Sequence, residues 1–227
     1  MANLSADVAA GIRWTRALGF RYIWIDTLCI FQDSDQDWLA QAKQMADIYK
    51  NSWCTLASSD GALSPIQPGI SLQPDEKPVR VVHDIASSWS FKGVNDWCLV
   101  DTDYWRLNWL ERELNTRGWV FQEALLSRRV AHFHGEQLMW ECGELNASES
   151  FPHGFPPREL VGETQASFAL TGDKTQQRRD AIIQYSRRQL KYGKDKLIAF
   201  AGIAAQLQFD DWYHAGLWGP HIIGQLL

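Results

Sequence analysis

No run of about 18 apolar residues occurs anywhere in the 227-residue chain, so the sequence offers no membrane-spanning helix. Nor does it open on a basic stretch followed by an apolar one, the form a secretory signal takes. Excess positive charge is missing too. With 22 Lys and Arg against 27 Asp and Glu, the formal net charge is −5. That gives no global field for nucleic acid or an anionic membrane surface. Cysteines are few: Cys29, Cys54, Cys98 and Cys142, widely spaced and never in a C-x-x-C pair. A zinc site and an extracellular disulfide framework are both disfavoured. The four read as reduced, mostly buried thiols of a cytoplasmic protein. Glycine-rich phosphate loops, a G-x-S-x-G elbow and an H-E-x-x-H helix are all absent, which leaves kinase, α/β-hydrolase and metalloprotease readings without support.

What is present in quantity is tryptophan, 12 residues of it. Most lie inside apolar periodic segments, such as Tyr22-Ile23-Trp24-Ile25, which favours core packing over a sugar-binding surface. Residues 6–18 read as a helix capped by Ser5 and ended by Gly19. Residues 21–26 read as a short strand buried on both faces. Ser34 begins a capping box with Asp37 in place of glutamate, and Trp38, Ala42, Met45 and Tyr49 recur at helical spacing, so residues 35–50 form an amphipathic helix. Residues 53–57 read as a second buried strand, completing a strand–helix–strand unit of parallel α/β type. Residues 58–78 read as a loop, with β-prone pieces at 79–82 and 97–100. A helix is expected over 116–126, then two strands, 129–133 and 137–142, around a turn at His134-Gly135-Glu136. Residues 146–174 look irregular; 175–192 and 196–208 are helical, with a short helix to close. The division is an α/β domain over 1–145 and an irregular, then helical extension over 146–227 packed on it.

Two longer segments carry a resemblance. Gly19-Phe20-Arg21-Tyr22-Ile23-Trp24-Ile25-Asp26-Thr27-Leu28-Cys29-Ile30-Phe31-Gln32-Asp33 resembles the central signature of the fungal heterokaryon-incompatibility (HET) domain. Met45 to Ser52 continues it, and Arg117-Gly118-Trp119-Val120-Phe121-Gln122-Glu123-Ala124-Leu125-Leu126-Ser127-Arg128-Arg129-Val130 is similar to the second signature. Trp140-Glu141-Cys142 resembles the short third one. Relatives open with a strand of the type Leu-Ser-Tyr-x-Trp-Gly, which this chain lacks, so one wall of a site at the strand ends is expected to be missing or to come from elsewhere. The resemblance implies a partial TIR-like, flavodoxin-like parallel sheet flanked by helices, with a mostly helical C-terminal extension. It implies a cell-death signalling module of non-self recognition, acting through self-association or with another incompatibility protein. An inactive, truncated paralogue is the alternative without activity.

In such sheets ligands sit beyond the carboxyl ends of the strands. Asp26 ends the first expected strand, with Cys29, Gln32 and Asp33 in the loop behind it. Arg117, Gln122 and Glu123 open the 116–126 helix, and Trp119 and Glu123 share a face at i,i+4. A carboxyl packed on an aromatic ring can have a raised pKa and serve acid–base chemistry. TIR-type NAD hydrolases use one glutamate to stabilise an oxocarbenium-like ribose. By that analogy Glu123 is the catalytic candidate, Trp119 a stacking wall, and NAD a substrate rather than a cofactor. The bland reading is a buried ion pair of Arg117 with Glu123 or Asp26 that orders the core. His132 and His134 share a strand face but no fourth ligand accompanies them, so no metal is assigned. Eight Lys and Arg over residues 174–196 read as a solvated helix face rather than a nucleic-acid patch.

Overall fold

The computed structural model describes residues 4–59, 112–134, 137–149, 151–154, 172–208, 212–214 and 216–219. The loop and β-prone pieces expected over residues 60–100, Cys98 and the closing helix expected beyond 219 fall outside these.

Helix α1 (Ala6–Ala17) starts where the Ser5 hydroxyl accepts from the Val8 N–H. It stops at Gly19, whose φ of 81° needs the freedom of glycine. Its inward face is Ala10, Gly11 and Thr15, small residues that let it lie close.

Residues 21–25 overturn an expectation. They form no strand, with a bend at Arg21 and extended backbone at Ile25, they pair with no described strand, and Tyr22 is 82% exposed. Asp26 does not end a strand; it begins the one-turn helix α2 (Asp26–Cys29). β-propensity reflects packing and pairing on a sheet, and no described strand adjoins this run. Cys29, expected buried, is exposed, and Cys54 and Cys142 are only partly buried.

Helix α3 (Asp35–Asn51) follows, its first turn closed by the Asp37 N–H donating to the Ser34 hydroxyl at 3.2 Å. Ala42 and Met45 form its buried stripe. Strand β1 (Thr55–Ser58) comes next. Past the undescribed stretch, α4 (Glu113–Thr116) and α5 (Gly118–Leu126) are separated by extended Arg117. The single helix expected over 116–126 is thus broken one residue in, where Gly118 N–H donates to the Gln189 carbonyl at 2.7 Å and the Gln189 N–H to the Thr116 carbonyl. Strands β2 (Arg129–His134) and β3 (Gln137–Cys142) make the expected hairpin. A third antiparallel strand, β4 (Asn146–Ser148), lies where only irregular chain was expected.

The result is a mixed α/β fold. The sheet order is β1-β2-β3-β4, with β1 parallel to β2 (Thr55 opposite Val130, Ser58 opposite Phe133) and the rest antiparallel. The parallel pair joins strands on either side of α4 and α5, rather than the expected pair flanking α3. The C-terminal part supplies α6 (Lys174–Ser186), a 3-10 turn (Gly193–Asp195), α7 (Lys196–Gln206) and a small pairing of β5 (Tyr213–His214) with β6 (Leu217–Trp218). Helix α7 packs on both α3 and α5. The core runs through Phe121, Met139, Tyr185, Phe200, Ile203 and Trp218, so residues on both sides of position 145 fill one interior. Tryptophan divides: Trp218 is fully buried, while Trp53 and Trp212 are exposed.

Candidate functional site

Between α1, the run 20–25, the end of α3 and β1 lies a cleft of about 690 Å³, within the size range of small-molecule sites. Phe20, Trp24, Tyr49, Leu56, Val120 and Glu123 are among its lining. Its walls are held by aromatic contacts: the Trp24 ring meets Tyr49 edge-on at 5.8 Å, and Phe20 meets Trp53 at 4.6 Å. Among the described residues, the lining holds two carboxylic acids, Asp7 and Glu123, and neither lysine nor arginine.

Glu123 is the chemical focus. It sits mid-helix on α5 and partly buried, its side chain turned to α3 rather than to solvent. Burial pushes its carboxyl from the ordinary 4.5 up to about 7. The nearby Tyr49 hydroxyl opposes this, Asp26 adds to it by repulsion, and Arg117 opposes it by attraction. Tyr49 is raised in turn, first by burial and then by the nearby charge of Glu123. A carboxyl poised near neutrality at the wall of an apolar cleft is the state a general acid or base needs.

The remaining sequence candidates separate. Asp26, Arg117 and Glu123 are brought within electrostatic reach of one another. Asp26 also caps its own turn, its Oδ1 accepting from the Thr27 N–H at 2.7 Å. Gln32 donates through Nε2 to the Asp26 and Ile30 carbonyls, both at 3.2 Å, which ties the loop to itself. Cys29 and Asp33 are exposed and do not line the cleft. Trp119 packs edge-on against Trp38 at 6.0 Å, and the cleft's aromatic walls are instead Trp24 and Tyr49. Gln122 is buried facing the other way, its Oε1 accepting from the Gly202 N–H of α7 at 2.9 Å. His132 is buried with Nε2 3.4 Å from Glu141, an ion pair when the ring is protonated. Of the basic run over 174–196, Arg178 is buried, donating to the Leu207 and Gln208 carbonyls.

Sequence reasoning missed Tyr49. It read there as one more apolar position of the α3 stripe. The signal for it is tertiary, since only the packing of α3 on α5 puts its hydroxyl beside Glu123.

Among the described residues no helix is long and apolar enough to cross a membrane. A family model described as Heterokaryon incompatibility protein (HET) matches residues 1–123, more than half of the chain. No curated protein and no solved structure matches it.

Proposed function

The chain belongs to the heterokaryon incompatibility protein (HET) family, and from that membership we propose that it is a signalling module of fungal non-self recognition, set off by self-association or by another incompatibility protein and ending in cell death. The structural observation that carries this reading is the open cleft beside β1. It leaves apolar surface and a sheet edge available for docking, as a module that works by association requires. Induced expression in a fungal host, with viability followed beside light scattering of the purified chain, tests it. Death together with concentration-dependent assembly supports the reading; a harmless monomer overturns it in favour of an inert paralogue.

A second reading rests on Glu123. Its carboxyl, held near neutrality against Tyr49, suits hydrolysis of an N-glycosidic bond such as that of NAD, with the carboxylate stabilising a cationic ribose. The aromatic lining suits the ring end of such a substrate. A diphosphate would find no lysine or arginine among the described lining residues and would rely on Arg117 nearby. Cellular NAD after induction, beside Glu123→Gln at matched protein level, decides it. NAD loss with the parent chain alone supports hydrolysis; equal NAD in both ends this reading.

A further inference from the structure

Two rows of unused backbone groups flank the cleft. Among the described residues, strand β1 is the edge of its sheet, bonded through β2 on one side only. Across from it, among the described residues, no N–H from Arg21 to Ile25 donates a hydrogen bond, and the segment ends on extended backbone at Ile25. Residues 22–25 and 55–58 line the same cavity. A helix or a small molecule leaves such rows unpaired, whereas one extended strand, at the usual spacing of about 4.8 Å, serves both. The lining also selects by charge. Among the described residues it presents Asp7 and Glu123 and neither lysine nor arginine, so it favours an apolar strand bearing positive charge.

The chain itself carries such a strand. Arg21-Tyr22-Ile23-Trp24-Ile25 is β-prone, belongs to no helix and pairs with no described strand, and Arg21 is its one charge. We propose that the cleft is a dimer interface in which the Arg21–Ile25 run of a second copy lies between β1 and the same run of the first, reciprocally about a two-fold axis. The order across the interface is then β1, the partner's run, the copy's own run and the partner's β1. Each run is bonded on both sides, and the two four-stranded sheets become continuous. Such an isologous contact closes on itself and leaves neither β1 nor the run open to further addition. It also brings Arg21 to the acidic lining of the partner's cleft. The inference deepens the proposed signalling role by assigning the surface through which copies associate, and it rests on that role only for its biological meaning.

The test is sedimentation velocity of the full chain over a range of concentrations, combined with amide hydrogen exchange. The expected result is a monomer–dimer equilibrium in which amides of residues 21–25 and the outward amides of 55–58 gain protection as dimer forms. Ile23→Pro removes one ladder donor and should weaken the dimer by at least about tenfold. Arg21→Glu keeps the backbone donors and places like charge in an acidic cleft, so it should weaken the dimer comparably even where the proline variant fails to fold. A monomer at all concentrations overturns the proposal. So does a dimer whose 21–25 amides exchange freely, or protection independent of concentration, which would mean that the chain fills its own cleft. Loss of the death response with the dimer intact would instead count against the signalling role.

Discussion

The hydroxyl of Tyr49, on α3, neighbours the carboxyl of Glu123, on α5, at the wall of the cleft. The two residues lie 74 positions apart in sequence, and their proximity influences how readily Glu123 holds a proton.

Replacing Glu123 by glutamine should stabilise the protein in a pH-dependent way. The unfolded chain releases this proton near 4.5, while the folded protein keeps it up to about 7. Between those values the folded state binds more protons, so its stability falls as pH rises and the loss is complete above 7. For a shift of this size the loss is at most about 3 kcal/mol. Glutamine never ionises. Thermal melts from pH 5 to 8.5 should show the variant's advantage growing across this window, and a constant difference would contradict the assignment.

Tyr49→Phe removes a neighbouring hydroxyl that favours the charged form of Glu123. The carboxyl should therefore titrate above 7, which carbon-13 NMR of the glutamate side chains would read. Stability should drop by roughly 1–2 kcal/mol more at pH 8 than at pH 5.

The sequence revealed elements whose signal is local and hid those whose signal is not. Helix α3 was legible because its cap and its apolar stripe both lie within 17 residues. The β2–β3 hairpin was legible because alternation and turn are adjacent. The run 21–25 has the composition of a buried strand, but a strand exists only with a neighbour, and composition does not supply one. Glu123 could be singled out from the motif around it and its aromatic neighbour at i−4. Gln122 could not be sorted from it, because consecutive helical residues point about 100° apart. That angle sends Glu123 to the cleft and Gln122 to α7.

Gly202→Ala should destabilise the fold by about 1–3 kcal/mol. A β-carbon there would lie 2.5 Å from the Ala46 side chain and 2.6 Å from Gln122 Oε1, so α7 would have to move off both α3 and α5. A melting temperature unchanged within error would show that the contact is looser than described.

Arg178→Met keeps the apolar stem and loses the donors to the Leu207 and Gln208 carbonyls, at 2.9 and 3.0 Å, with the cation over the Trp218 ring. Leaving buried carbonyls unmet should cost roughly 2–3 kcal/mol. Denaturant unfolding followed by tryptophan fluorescence would measure it and report the environment of Trp218 at the same time.

Helix α7 touches both helices that frame Glu123, yet it is encoded some 75 residues downstream of that glutamate. On the ribosome α3 and α5 emerge well before the element they close against, and their apolar faces must wait for residue 206. The surroundings that raise the Glu123 carboxyl are thus completed only once translation of the whole framework is done, so prematurely terminated chains would carry the signature residues without the packing that sets their chemistry.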